Sequence, residues 1–191
     1  MMGNKIILWR DHLEEIPNYP VPFGFSFRWY QRGNEQEWFH IQTAADKLNE
    51  ITPDLFGRQF GNDEAALSQR QVYLISPFGR AIGTATAWFN DNFEGHRFGR
   101  VHWVAIVPEF QGRGLAKPLM SMVCHRLREL GHDRAYLTTS TARLGAIRLY
   151  LSFGFVPLLR NRAEEALWRS IEEKMPADFP RNFLAQPQSN K

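Results

Sequence analysis

The chain has 191 residues, 43% hydrophobic and 23% charged, with a net charge of +3, which suits one domain with a full core. Its basic residues are scattered, which argues against a nucleic-acid surface, and no apolar run approaches the ~20 residues of a membrane span. A lone cysteine, Cys124, excludes an internal disulfide framework, and with no signal-peptide pattern at the start the chain reads as cytoplasmic.

Lys5 to Arg10 reads as a short edge strand. Pro17, Pro20 and Pro22 mark an irregular connection. Phe23, Phe25, Phe27 and Trp29 alternate with Gly24, Ser26 and Arg28, the period of a strand with one aromatic face. Trp38, Ile41, Ala45 and Leu48 recur with helical spacing, predicting a helix from Glu35 to Ile51. Asp63 is placed to cap a second helix ending at Arg70. Val72 to Ser76 and Ala81 to Phe89 read as strands around a Pro77-Phe78-Gly79-Arg80 turn, with Asn90 to Gly99 as a polar loop.

Val101 to Val107 is an apolar strand rich in β-branched residues, stopped by Pro108. After it come Gln111, Gly112, Arg113, Gly114, Leu115 and Ala116. Leu115, Leu119, Met122, Val123, Leu127 and Leu130 then form one face of a helix that stops at Gly131. A glycine turn opening a helix offers unpaired N–H groups and a positive dipole end, and Arg113 adds charge. The arrangement suits a phosphate or pyrophosphate, although a plain strand-to-helix turn has the same spacing. Lys117 stands where a dinucleotide fingerprint needs its third glycine, and no G-K-[ST] follows, which excludes the P-loop. Ala135 to Thr139 reads as a strand, Leu144 to Phe153 as a helix and Phe155 to Leu159 as a strand. Asn161 and Glu164 form a capping-box pattern before a helix carrying Ala163, Leu167, Ile171 and Met175. Residues 1–175 form the expected domain, and 176–191 an extended or disordered tail. The six histidines show no paired spacing, so no metal site is expected.

Gln111, Gly114 and Ala116 meet the motif [QR]-x-x-G-x-[GA], and Ala146, Leu149, Tyr150, Gly154 and Phe155 meet A-x-x-L-Y-x-x-x-G-F. Through these two motifs, in order and with a strand between them, the chain resembles the GNAT superfamily of acyl-CoA-dependent N-acyltransferases. The match is good over roughly residues 70–158 and looser before them. The resemblance implies an α+β fold, with a central mixed sheet flanked by helices and splayed central strands. It implies acetyl-CoA as acyl donor and a primary amine, small or on a peptide or protein, as acceptor. It allows a homodimer without requiring one.

Carried onto this chain, the resemblance implies that the backbone of Ala105, Ile106 and Val107 holds the pantetheine arm, with the Val107 N–H facing the thioester oxygen. The amides from Gly112 to Ala116 take the pyrophosphate, Gln111 starts the turn, and Arg113 and Lys117 add charge. Tyr150 stands where many members place the acid that protonates the leaving thiolate. An ordinary tyrosine, with a pKa of about 10, is protonated at neutral pH. His102, on the central strand, resembles the strand histidines of arylalkylamine N-acetyltransferases and is one candidate base, beside Glu109, a water chain with no single base, and the blander reading of a hydrogen-bonded sheet histidine. Strict alternation groups His102 with Val104 and Ile106, unless a bulge changes the phase. Arg143 replaces an asparagine common in the family and could meet a CoA phosphate. Trp38, Phe39, Phe56 and Phe60 fall where the family lines its acceptor side, though core packing explains them as well. The rival to the enzyme is a non-catalytic acyl-CoA-binding or interaction module on the same fold.

Overall fold

The computed structural model describes residues 3–176, so the expected tail lies, from 177 on, outside them. In chain order the strands are β1 (Lys5–Arg10), β2 (Ser26–Trp29), β3 (Gln71–Ile75), β4 (Ala81–Phe93), β5 (His96–Ile106), β6 (Ala135–Ser140) and β7 (Val156–Pro157). The helices are α1 (Glu35–Ala45), α2 (Leu55–Phe60), α3 (Glu64–Arg70), α4 (Ala116–Glu129), α5 (Leu144–Ser152) and α6 (Arg162–Glu172). Among the described residues no helix is long and apolar enough to cross a membrane. The described residues divide into two compact units, Asp11–Ala135 and a second made of 3–10 with 136–176.

In the first unit β2, β3, β4 and β5 pair in that order, each antiparallel to the next. The aromatic strand is shorter than its alternation predicts. Gly24 takes a φ of +84° and the Phe25 N–H closes a turn on the Pro22 carbonyl at 3.0 Å, leaving Phe23 fully exposed. Helix α1 also stops early. Asp46 Oδ1 accepts from the N–H groups of Leu48 and Asn49 at 2.9 and 3.1 Å, which offers the backbone an alternative to the helix. Asp63 does cap α3, accepting from Ala66 N–H at 2.9 Å. The expected Asn90–Gly99 loop is instead the end of a hairpin. Phe93 pairs with His96, and Glu94 and Gly95 both take positive φ, the requirement of a type I′ turn.

A bulge interrupts β5. His102 lies opposite Thr86 and Ala105 opposite Thr84, so one extra residue enters β5, and Trp103 takes a φ of +51°. The bulge puts His102 on the same face as Ala105 and not with Val104 and Ile106. That face packs under α1 and α2: Phe60 meets the rings of His102 and Trp88 at 5.6 and 5.5 Å, and Trp38 meets Trp103 at 5.2 Å. Trp38, Phe56 and Phe60 are at most 8% exposed and pack as core. Helix α4 covers the other face. A Cβ on Gly99 would come within 2.9 Å of Leu127, so the sheet admits α4 only because that position has no side chain.

In the second unit the order is β6-β1-β7, which makes β1 an interior strand and not the expected edge. Leu8 pairs with Pro157 and is fully buried. Strand β7 has two residues in place of the predicted five, and its last pairing continues only as the Leu158 N–H donating to Ile7 at 3.0 Å. Asn161 caps α6, accepting from Ala163 and Glu164 N–H groups at 3.1 and 3.0 Å. Glu164 closes the box one residue early, accepting from Arg160 N–H at 2.6 Å. Trp168 and Ile171 of α6, with Met175 just beyond its end, pack on Ile147 of α5. Each such side chain contributes roughly 1.5–3 kcal/mol as an upper bound.

Candidate active site

The site begins where β5 stops. Pro108 removes an N–H from the ladder and a single 3-10 turn, Pro108–Phe110, follows. Gln111 then reaches back, its Nε2 donating to the Ile106 carbonyl at 2.7 Å, which ties the loop to the strand end. Gly112 and Gly114 take φ values of +73° and +76°, and a Cβ on either would meet nothing within 4 Å. The space in front of both is open, so these glycines serve the backbone conformation and not internal packing.

The N–H groups from Gly112 to Ala116 donate to no protein acceptor among the described residues. They precede a 14-residue helix whose N-cap, Leu115, supplies no side-chain bond. Leu115 is instead a buried anchor for the turn. Unpaired amides at the positive end of a helix dipole are a receptor for an anion. The two nearby cations stand on aromatic rings, Arg113 over Phe110 at 4.8 Å and Lys117 over Tyr19 at 4.9 Å, which aims them without burying their charge.

One expected contact is corrected. The Val107 N–H donates to the Ile82 carbonyl of β4 at 2.9 Å, so it does not face a thioester. Successive residues of an antiparallel ladder turn their backbone groups to opposite edges, so Ala105, opposite Thr84, also faces β4. Of Ala105, Ile106 and Val107, Ile106 alone turns its amide to the other edge, and the Gln111 side chain holds its carbonyl there. Gln111 is thus a positioning residue.

His102 is 7% exposed, and its Nε2 lies 3.0 Å from Gln59 Oε1. The same oxygen accepts from Trp103 Nε1 at 3.0 Å. An indole nitrogen only donates, which fixes the amide orientation and makes His102 Nε2 the second donor. Burial and the charge of Arg100 hold the imidazole well below its ordinary pKa, so it is neutral at pH 7 and a poor proton acceptor. This geometry favours the sheet-histidine reading over the base. Gln42 Nε2 donates to the Trp103 carbonyl at 3.0 Å, securing the bulge from α1.

A cavity of about 440 Å³ lies against this unit, lined by Glu37, His40, Ile41, Arg80, Ala81 and Val107. In the other unit Tyr150, on α5, is 8% exposed. Burial pushes its hydroxyl up to about 12, against a smaller opposing effect of the Arg143 charge, so the phenol is protonated at neutral pH. Arg143 caps α5 through its backbone, its carbonyl accepting from Ile147 N–H at 3.0 Å.

Residues 14–155 match the family model described as the acetyltransferase (GNAT) family. The chain belongs to this GNAT family. A mycothiol acetyltransferase of Arthrobacter sp. (strain FB24) is 28% identical over 161 residues, 78% of this chain and 49% of that protein. The chain thus spans about half the length of the curated relatives it matches. Among solved structures, a GCN5-related N-acetyltransferase from Sphaerobacter thermophilus superposes with a TM-score of 0.67 at 19% identity, covering 81% of this chain and 48% of that one. The ribosomal-protein-S18-alanine N-acetyltransferase of Escherichia coli superposes at 0.56 and 18% identity, covering 68% of this chain and 76% of that one. The α+β fold is therefore the GNAT fold, as the two motifs imply.

The structure gathers Ile106 and Gln111 to Ala116 around one turn of open amides and sets His102 apart on the α2 face. The motifs do not reach Gln59, Gln42, Glu37 or Arg80. Glu37 and His40 do carry a signal, since they are polar residues flanking the apolar positions Trp38 and Ile41 of α1, Glu37 half-buried and His40 exposed. Gln59 carries none, because its partners lie far away in sequence.

Proposed function

We propose that the chain is an acetyl-CoA-dependent N-acetyltransferase that moves the acetyl group directly to a primary amine. The observation that carries this reading is the run of open amides from Gly112 to Ala116, set beside the outward amide of Ile106. The turn matches the pyrophosphate of the donor in charge and directionality, and the Ile106 N–H suits the oxygen of a polarised thioester. Acetyl-CoA supplies the activated acyl group, and Arg113 and Lys117, beside the turn, offer charge to its phosphates.

The acceptor ammonium first gives one proton to solvent. The nitrogen lone pair then attacks the acetyl carbon, a C–N bond forms and the C–S bond breaks. Tyr150, protonated at neutral pH, gives its proton to the departing thiolate and is reprotonated by the second proton of the nitrogen. His102 takes no proton in this scheme. It keeps β5 and α2 in register through Gln59.

Thermal unfolding with and without acetyl-CoA tests the reading. Ligand at 100 times its Kd adds about 2.7 kcal/mol of stability, a clear upward shift in Tm. A shift followed by amine-dependent CoA release supports the enzyme. A shift with no release from any amine supports a binding module. No shift at millimolar acetyl-CoA, in a cooperatively folded sample, overturns both.

A further inference from the structure

We infer that the cavity beside Val107 receives an amine carrying an anionic group, Glu37 taking the ammonium and Arg80 the anion. The inference rests on the acyl-transfer reading and names its acceptor class. Two opposite charges reach the cavity from separate elements: Glu37 from the first turn of α1, Arg80 from the turn before β4. The other lining residues are Ile41, Ala81 and Val107, which are apolar, and the exposed His40. An apolar wall with two placed charges orients a small ligand by its charged ends.

Glu37 is ion-paired with Arg28 through one carboxylate oxygen, and Arg80 has only a long, exposed contact with Glu109. Arg28 donates to Glu37 through Oε2 alone, and the Arg28 guanidinium is itself steadied over the Tyr73 ring at 5.8 Å. Glu37 Oε1 is left for a second donor, and an ammonium has three to give. Arg80 is 60% exposed, with its carboxylate neighbour, Glu109, at 4.0 Å, the outer limit of ion pairing. An exposed pair at that range contributes little, so a ligand carboxylate in fork geometry displaces it readily.

The same charges act against other amines. A plain alkylamine leaves Arg80 without a ligand partner. A polyamine sets a second cation against Arg80 and is disfavoured. The volume of about 440 Å³ is that of a small-ligand pocket and accommodates an amino acid or the end of a peptide.

The test is initial-rate acetylation of a panel of α- and ω-amino acids, each beside its own amide, which keeps the amine and removes the carboxylate charge. Wild type is expected to use at least one acid about tenfold better than its amide in kcat/KM. Arg80→Gln, on an exposed turn, is expected to erase that preference through KM for the acid, with KM for acetyl-CoA unchanged. Glu37→Gln is expected to raise KM for acid and amide alike. Equal use of acids and amides, or a preference that survives Arg80→Gln, overturns the inference and leaves acyl transfer standing. Failure to bind acetyl-CoA, or no transfer to any amine, overturns the enzyme reading and this one with it.

Discussion

His102 Nε2 donates to Gln59 Oε1 at 3.0 Å, and this bond joins the middle of β5 to the last turn of α2. Gln59 also takes the Trp103 indole, so it satisfies both side chains beside the bulge. Gln59→Leu strands two donors in a largely apolar setting and is expected to cost about 2–4 kcal/mol. Gln59→Glu keeps the acceptor and is expected to recover part of the loss. Chemical denaturation of the three proteins checks this. An unchanged midpoint in Gln59→Leu would show the contact to be idle.

Two buried histidines give a pH dependence with a definite sign. His132 is held at about 4 by burial, with Arg70 and Arg97 adding to the effect, against an ordinary 6.5. His102 is lowered in the same direction. Above pH 6.5 both are neutral folded or unfolded, and their full contribution is present. Below it the unfolded chain binds protons that the fold refuses, so stability falls as pH drops from 6.5 towards about 4. Tm measured from pH 8 to 5 is expected to decline, and His132→Gln to flatten part of the slope.

Tyr150→Phe removes one hydroxyl from a buried α5 position. If the phenol delivers the proton to sulfur, kcat falls about 100-fold while the Tm shift with acetyl-CoA is kept. Because the phenol titrates near 12, no wild-type rate change between pH 6 and 9 belongs to it. Equal kcat in both proteins removes Tyr150 from the mechanism.

Gly114→Ala and Gly99→Ala separate two uses of glycine. Gly114 has open space and a φ of +76°, so alanine costs about 1 kcal/mol of stability through the backbone. It also puts a methyl group where the donor phosphates would approach, so acetyl-CoA affinity is expected to fall about tenfold or more. Gly99 has no space, with Leu127 at 2.9 Å and His132 at 3.2 Å from the added carbon. Alanine there is expected to cost about 1–3 kcal/mol by overpacking, with little change in acetyl-CoA affinity once folded. Calorimetry of both variants, with and without acetyl-CoA, checks the contrast.

The sequence by itself determined what depends on neighbours in the chain. The α4 stripe from Leu115 to Leu127, the glycines that open and close it, the Asp63 and Asn161 caps, and the two motifs are all local patterns. Backbone sterics and a helical period decide them within a few residues. Tertiary structure decided the rest. An insertion opposite Ala85 is invisible in the apolar run Val101–Val107, yet it moves His102 onto the α2 face, where Gln59 holds its Nε2. The family resemblance implies a Val107 amide facing the thioester, but edge direction follows the ladder, and the ladder gives that amide to Ile82. Strand β1 is interior because β6 and β7 flank it, and no residue of Lys5–Arg10 carries that information. Glu37 and Arg80 face one cavity because the sheet brings α1 and a distant turn together. Which groups meet, and which hydrogen bonds are already spent, is a property of long-range packing that a local pattern cannot hold.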